Sequence, residues 1–279
     1  MKKVIIIGSI IFVLILGGVY IWGMAQVKIQ PDNSIFKDTV VDMNWEDIKK
    51  AADTGAIVLF PIAVVEEHGP HMDLSPDIYQ TCLGCRFLKQ ELAKKGIQAL
   101  IAPPYYWGIN ESTGRFPGSF TVKAETFQAV ISDTIGCLKS WGFTQVFCAN
   151  LHGDPVHNQV LESTTQEIRN NLGIDVYNLQ TLSITIPNGP TFPAPRPGKF
   201  TPDYHAGADE TASMWAFYPE RVNVKKAAQL KPQSSFYQPL GYVGDPASFK
   251  LEKGAAPNLK ILAQYYALKI EAFLKQSKK

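Results

Sequence analysis

The chain has 279 residues, of which 46% are hydrophobic and 19% are charged, enough for one sizeable globular domain plus a short additional segment. Its formal net charge is only +2, and it contains no block of like charges and no basic-aromatic stripe beyond the terminal lysines. Composition therefore gives no reason to expect a nucleic-acid partner.

The N-terminus carries the one membrane signal. Lys2 and Lys3 precede a charge-free apolar run over residues 4–22, and about 20 such residues can span a bilayer as a helix. The run exceeds the roughly 7–15 apolar residues of a secretory signal, and residues 23–26 make a poor cleavage site, so we favour an uncleaved anchor. The two lysines then place the remainder outside the cytoplasm. The alternative is a secreted or periplasmic protein released by signal cleavage.

Three segments follow from this pattern. Residues 1–23 are the anchor or signal segment, residues 24–42 a linker, and residues 43–279 the main domain. Within it, apolar runs predict strands over residues 56–65, 97–102, 145–151 and 174–179, and helical patterns over residues 77–95, 124–141 and 156–172 lie between them. This alternation predicts an α/β fold, a three-layer sandwich with a mainly parallel sheet flanked by helices.

The first polar cluster follows the first predicted strand. Glu66, His68 and Asp77 form an E-x-H-x8-D pattern. Two carboxylates and an imidazole suit a divalent cation such as zinc, manganese or iron(II). Ser75 and Pro76 read as an N-cap and first helical residue, which puts Asp77 in the opening turn of its helix. The pattern alone fits a solvated loop equally well.

Two further clusters favour the metal. His152 and Asp154 follow the third predicted strand, and His205 and Glu210 precede a helical stretch. All five histidines of the chain fall within the three clusters. In open parallel sheets, ligands bind beyond the carboxyl ends of the strands, so these separate segments can converge on one cleft.

These motifs resemble the creatininase (creatinine amidohydrolase) family. Residues 61–77, with the core E-E-H-G-P-H, are similar to the family's P-x-G-S-x-E-Q-H-G-P-H-L-P-L-x-x-D. N-L-H-G-D at 150–154 is similar to N-G-H-G-G-N or N-G-H-Y-E-N, and H-A-G-A-D-E-T at 205–211 to H-A-G-E-x-E-T-S. F-P-G-S at 116–119 and G-D-P at 244–246 support the match. Several positions depart from the family pattern, among them Glu67 for Gln and Leu151 for Gly, so the substrate does not transfer.

The resemblance implies two divalent metal ions, with zinc the first choice and manganese or iron as alternatives. It implies Glu66, Asp77 and His152 around one metal and His68, Asp77 and Asp154 around the other, with Asp77 as the bridge. Glu210 is the alternative to Asp154. His71 and His157 are predicted to be supporting hydrogen-bonding groups, and Glu67 a polar residue of the loop.

Catalytic roles also follow from the resemblance. His205 would relay a proton to the leaving nitrogen, and Glu210 is a candidate to orient its imidazole. The implied reaction is hydrolysis of a C–N bond in a small amide, cyclic amide or formamide, and the implied assembly is a homo-oligomer, a hexamer. The alternatives are hydrolysis of another small polar ring metabolite, such as a carbohydrate derivative, and a non-catalytic metal-containing binding protein at the cell surface.

Two further predictions concern the rest of the domain. The cysteines Cys82, Cys85, Cys137 and Cys148 are interpreted mainly as small buried hydrophobic residues and not as disulfides. The stretch of residues 186–203, rich in Pro and Gly and without periodicity, reads equally well as a lid or as a passive surface loop.

Overall fold

The computed structural model describes residues 34–184, 186, 203–235, 240–251 and 255–277. Residues 38–279 form one compact unit, to which the following description applies. The predicted anchor at residues 1–23 and nearly all of the possible lid lie outside the described residues. Within the described residues, no helix is both long enough and apolar enough to cross a membrane.

The sheet has four strands, β1 (Ile57–Ile62), β2 (Ala99–Ile101), β3 (Gln145–Asn150) and β4 (Asp175–Asn178), in the order β2-β1-β3-β4. Every neighbouring pair is parallel, with Leu59 opposite both Ile101 and Phe147. All six residues of β1 are buried, which is why this strand reads as a continuous apolar run without alternation. The predicted parallel sheet is confirmed.

Helices connect and flank the strands. They are α1 (Trp45–Asp53), α2 (Pro76–Lys94), α3 (Ala124–Ser140), α4 (Pro155–Leu172), α5 (Ala208–Phe217), α6 (Val224–Ala227) and α7 (Ala255–Gln276). Three short 3-10 helices, Val40–Asp42, Pro219–Arg221 and Pro246–Leu251, complete the described elements.

The two faces of the sheet bury two separate apolar clusters. Val58 and Phe60 point into the first cluster, which α1, α3 and α4 cover with residues such as Phe127 and Leu161. The alternate residues of the same strand, Ile57 and Leu59, point into the second cluster, which α2 and α7 cover. This alternation follows from the two-residue period of a strand. The three-layer α/β architecture predicted from the sequence is confirmed.

The cysteines follow the predicted pattern with one exception. All four are free, and Cys82, Cys85 and Cys148 are buried. Cys137 is exposed, so its prediction as a buried residue is wrong. It lies on α3 next to Leu138, whose side chain is buried in the first cluster. Adjacent residues on a helix face different directions, and the apolar sequence around Cys137 did not reveal which direction it takes.

Candidate metal centre

The carboxyl end of β1 delivers the first two side chains. The strand is buried throughout, and the chain then runs through a loop in which Glu66 and His68 are 2% and 1% exposed. The loop folds back on itself, because the backbone N–H of Glu66 donates to the carbonyl of Leu74 at 3.3 Å. Two ionisable side chains are thereby buried at the edge of the sheet, where they need charged or hydrogen-bonding partners.

Asp77 enters from the first turn of α2, directly after Pro76, as predicted from the sequence. A clamp holds the segment that leads into this helix. The Arg221 guanidinium contacts the Asp73 carboxylate at 2.7 Å and donates to the Tyr79 hydroxyl at 2.6 Å. The clamp joins Asp73, before Asp77 in the chain, to Tyr79 after it. It therefore restrains the backbone from which the Asp77 side chain projects.

The carboxyl end of β3 delivers His152. The Asn150 side chain closes the loop around it, with Oδ1 accepting from the backbone N–H of His152 at 3.0 Å and Nδ2 donating to its carbonyl at 3.1 Å. Because β1 and β3 are neighbouring parallel strands, their carboxyl ends meet at one edge of the sheet. His152 therefore reaches the same place as Glu66 and His68.

The last two side chains come from outside the sheet. The backbone of His205 pairs with Val243, whose N–H donates to the His205 carbonyl at 2.8 Å. Ala206 then takes a left-handed conformation with φ of 50°, and α5 begins two residues later. This sharp turn lets the Glu210 side chain fold back and accept from the Ala206 N–H.

Two groups of possible ligand atoms share Asp77. In the first, His152 Nδ1 lies 3.0 Å from Glu66 Oε2 and 3.2 Å from Asp77 Oδ2. In the second, His68 Nε2 lies 3.6 Å from Asp77 Oδ1 and 3.8 Å from Glu210 Oε2. Each oxygen of Asp77 thus faces a different group, as a bridging carboxylate requires. A third combination joins Glu66 and His68 with His205, whose Nδ1 lies 3.9 Å from Glu66 Oε2.

His68, His152 and His205 each direct one ring nitrogen at a main-chain carbonyl. His68 Nδ1 lies 3.1 Å from the Glu66 carbonyl, His152 Nε2 lies 3.0 Å from the Ile109 carbonyl, and His205 Nε2 lies 2.7 Å from the Glu67 carbonyl. A carbonyl only accepts, so each of these nitrogens carries the proton and donates it. The other ring nitrogen of a neutral imidazole then presents a lone pair, which is the arrangement of metal-binding histidines.

Buried atoms without hydrogen-bond partners support a cation at this site. Glu66 Oε2, His68 Nε2 and Asp77 Oδ2 all lack a hydrogen bond although they are inaccessible to solvent. Buried polar atoms are nearly always paired, so the two unpaired oxygens of the first group and the unpaired nitrogen of the second each call for a further partner. Two carboxylate oxygens and an imidazole nitrogen fit a divalent cation such as zinc or manganese.

The electrostatics agree with this interpretation. Burial opposes protonation of His68, but the carboxylates, chiefly Asp77 and then Glu210, outweigh it and raise its pKa to about 10. The pKa of His152 is raised in the same way against burial, by Asp77 and Glu66. Burial would raise the pKa of Asp77, yet His68 and His152 hold it well below its usual range. The negative field that retains protons here would equally retain a cation.

Asp154, predicted from the resemblance as a ligand of the second metal, lies outside all three groups of possible ligand atoms found among the described residues. It is instead the N-cap of α4, where Oδ1 accepts from the N–H groups of Val156 and His157 at 2.9 and 3.1 Å. Glu210, the alternative named from the sequence, lies in the second group with His68 and Asp77. Which of Glu210 and Asp154 is a metal ligand stays a prediction.

The other predicted residues have identifiable partners. His71 Nε2 hydrogen-bonds the Thr211 hydroxyl at 2.8 Å, and His157 Nδ1 accepts from the Ile109 N–H at 3.2 Å. Both contacts are of the supporting kind expected. Glu67 is more than a polar loop residue, because it is buried and its Oε1 lies 3.6 Å from His205 Nε2.

Sequence reasoning missed Thr113 altogether. This residue is fully buried, and its hydroxyl donates to Glu66 Oε1, which leaves Oε2 of the same carboxylate to face Asp77 and His152. No signal in the sequence pointed to it, because it lies in a loop outside the predicted strands and helices. Glu67 could have been suspected, since it stands between two predicted ligands.

The ligand atoms open onto a small cleft. Its volume is about 100 Å³, and its lining includes Glu66, Asp77, His152, His205 and Glu210. Tyr204 stands at the cleft with 76% of its surface exposed, and Leu151 contributes an apolar wall. The arrangement brings possible metal ligands and a separate histidine to one accessible space.

Comparison with known proteins finds relatives along most of the chain. A curated relative from Mycolicibacterium smegmatis, named mycofactocin precursor peptide peptidase, is 24% identical over 71% of this chain and 78% of its own length. The creatinine amidohydrolase of Pseudomonas putida is 22% identical over 69% of this chain and 76% of its own length. A crystal structure of creatinine amidohydrolase covers 86% of this chain and 97% of its own, with 21% identity and a TM-score of 0.64, which shows a shared fold.

The family match covers most of the chain. Similar solved structures include a mutant creatininase described as Zn-Zn type and one described as creatininase Mn. The Creatininase family model, described as creatinine amidohydrolase, matches residues 41–268. The chain therefore belongs to the creatininase family of metal-dependent hydrolases.

Proposed function

We propose that this enzyme hydrolyses a C–N bond in a small amide, cyclic amide or formamide with two bound divalent cations. The observation that carries the proposal is the Asp77 carboxylate, whose two oxygens face two separate groups of buried ligand atoms. A carboxylate shared in this way is typical of paired metals in hydrolytic enzymes. The names of two relatives, a peptidase and an amidohydrolase, both denote cleavage of such bonds.

Five side chains would hold the cations. Glu66, Asp77 and His152 form one set, and His68, Asp77 and Glu210 form the other. Zinc is the first choice for these nitrogen and oxygen donors, and manganese or iron(II) are the alternatives. Bound there, the cations would lower the pKa of a water molecule and polarise the carbonyl oxygen of the substrate.

His205 would supply the proton for the leaving nitrogen. It lines the cleft, and its Nε2–H is held by the Glu67 carbonyl while Nδ1 is on the side of Glu66. Burial and the nearby His68 disfavour the protonated ring, but Glu66, Glu67 and Glu210 outweigh them and raise the pKa of His205. The carboxylate next to Nε2 is that of Glu67, so we assign the orienting role to Glu67 and keep Glu210, the group predicted for that role, as a ligand of the second cation.

A joint assay of metal content and hydrolysis tests the proposal. Purified enzyme should contain two metals per chain and hydrolyse at least one member of a panel of creatinine, other cyclic amides, N-formyl compounds and short peptides. Asp77→Ala serves as the inactive control. Hydrolysis of sugar-ring substrates alone would overturn the C–N assignment, and two bound metals without turnover on any substrate would favour a binding protein.

Membrane attachment is proposed on the sequence alone. The charge-free run at residues 4–22 should keep the full chain in the membrane fraction, with the domain on the extracytoplasmic side. A chain that begins at Gln30 should leave the membrane fraction and keep its fold. Recovery of a full-length gene product cut near Ala25 and free in solution would support the cleaved-signal alternative. Light scattering of the shortened chain would test the proposed homo-oligomer.

A further inference from the structure

We propose that Asp154 acts on the metal centre through the loop of residues 109–113 and does not coordinate a metal itself. The inference rests on the metal centre proposed above. It assigns a positioning role to an acid that follows the proposed ligand His152 by two residues and lines the same cleft.

Both oxygens of Asp154 are fully used by the protein. Oδ1 caps α4 through the N–H groups of Val156 and His157. Oδ2 accepts three hydrogen bonds, from the Glu111 N–H at 3.0 Å, the Ser112 N–H at 2.9 Å and the Ser112 hydroxyl at 3.0 Å. A carboxylate offers about four acceptor sites, and five donors occupy them here, so none remains for a cation.

The same loop touches two proposed ligands of the first metal. Ile109 accepts the Nε2 proton of His152, which fixes the tautomer that exposes Nδ1. Four residues later, the Thr113 hydroxyl donates to Glu66 Oε1, which leaves Oε2 directed toward His152. Groups that orient ligands in this way typically change metal affinity 10- to 100-fold when they are removed.

Asp154 binds the middle of this loop, between Ile109 and Thr113, the two residues that contact the proposed ligands. The first half of the loop has other supports, since His157 Nδ1 accepts from the Ile109 N–H at 3.2 Å and the Asn110 N–H donates to the Thr121 hydroxyl at 3.1 Å. Residues 111 and 112, which lead directly to Thr113, depend on Asp154. Loss of its Oδ2 should therefore release Thr113 first and Glu66 with it.

The second metal has a complete set of donors without Asp154. Glu210 accepts one hydrogen bond, from the Ala206 N–H, and its Oε2 faces His68 Nε2 at 3.8 Å. It also stands with His68 and Asp77 within one compact group of possible ligands. The geometry thus gives the two acids different roles: Glu210 is placed to coordinate the second cation, and Asp154 holds the loop that positions ligands of the first.

Metal titration of matched variants tests the inference. Asp154→Asn keeps the capping oxygen but replaces Oδ2 with a donor, and asparagine caps helices as well as aspartate does. Thr113→Val removes the hydroxyl that reaches Glu66, and Thr113→Ser is the control that keeps it. Glu210→Gln removes a proposed ligand. Each protein is titrated with zinc in a chelator buffer, its metal content at saturation is measured by mass spectrometry, and its fold is checked by circular dichroism.

The expected pattern separates positioning from coordination. Asp154→Asn and Thr113→Val should each hold two zinc ions at saturation. Their affinity for zinc at the first site, formed by Glu66, Asp77 and His152, should be about 10- to 100-fold lower than that of the wild type. Thr113→Ser should bind like the wild type, and Glu210→Gln should retain one zinc. Because Asp154 acts through Thr113, a double variant that combines Asp154→Asn with Thr113→Val should bind zinc no more weakly than the weaker-binding single variant.

Three results would overturn the inference. They are loss of one zinc at saturation in Asp154→Asn, an unchanged affinity in that variant, and additive losses in the double variant. If Asp154→Asn does not fold, Thr113→Val with its Thr113→Ser control still decides whether the loop governs the affinity, and unchanged affinity there overturns the inference. Wild-type enzyme that binds fewer than two zinc ions would instead contradict the proposed metal centre.

Discussion

The entrances of α2 and α4 present the same chemistry with different outcomes. Each helix begins with a proline at its first position, and each carries an aspartate beside that proline. Asp154 stands before Pro155 and turns its side chain onto the N–H groups of its own helix. Asp77 stands after Pro76, where its Oδ2 has no hydrogen bond and faces His152. Two positions relative to the helix start thus separate a structural cap from a proposed metal bridge.

The largest expected effect comes from Asp77. Asp77→Ala should lose both metals, and with them all measurable hydrolysis, because each oxygen of this carboxylate serves one group of ligands. Metal analysis of the purified variant measures this directly. As a control, His68→Ala should mainly weaken the second metal. If Asp77→Ala retained about two metals per chain, Asp77 would not be a bridging ligand, and the proposed difference in role between Asp77 and Asp154 would be wrong.

His205 should produce the next largest effect, on rate alone. His205→Ala should keep both metals and the fold but lower kcat roughly 10²- to 10⁴-fold, the usual range for a general acid or base. Steady-state kinetics with parallel metal analysis measures both quantities. His205 also appears in one group of possible ligands, with Glu66 and His68. Loss of one metal in this variant would make His205 a ligand.

Asp154 should affect stability more than chemistry. Asp154→Ala removes a helix cap and leaves the loop N–H groups unpaired, so the free energy of unfolding should fall by about 1–3 kcal/mol. Asp154→Asn, which can still cap α4, should lose less. Urea unfolding of the metal-free proteins measures the difference without the contribution of bound metal. Equal losses in the two variants would show that the cap contributes little.

The smallest effect is a release of protons on metal binding. In the metal-free protein the pKa of His68 is about 10, so the ring is protonated at neutral pH and must lose its proton to bind a cation. Calorimetry at pH 7 in buffers of different ionisation enthalpy should detect protons released from His68 and from His152, whose pKa is raised in the same way. Because proton competition weakens as pH rises toward 10, the affinity should increase with pH. The pKa of His71 is lowered to about 4, chiefly by burial, so His71→Asn should release the same number.

Much of the site could be predicted from the sequence, because parallel sheets impose strong geometry. Glu66, His68 and His152 follow two buried strands, and the carboxyl ends of neighbouring parallel strands meet at one edge. Asp77 could be placed because Ser75 and Pro76 mark a helix start. Asp154 and Pro155 carry a similar signature, a capping residue before a proline, which was not used to predict the role of Asp154. The resemblance to a family motif instead assigned Asp154 to the second metal.

The remainder depends on tertiary contacts that local patterns do not encode. Thr113 reaches Glu66 across 47 positions of the chain, from a loop without regular structure. Glu67 approaches His205 across 138 positions. The helix α7 packs against α2 over the second face of the sheet, and the apolar pattern of its sequence did not predict it. Contacts of this kind arise only when the whole domain closes.

The orientation of the three histidines has a consequence for mutagenesis. Their outer nitrogens all donate to main-chain carbonyls, those of Glu66, Glu67 and Ile109. Replacing the Ile109 side chain leaves its carbonyl in place, so a conventional alanine scan would report the loss of its buried packing and not the contact of its carbonyl with His152. Amide-to-ester substitution weakens a carbonyl acceptor without altering any side chain. Such backbone chemistry would reveal a part of the centre that libraries of side-chain variants cannot sample.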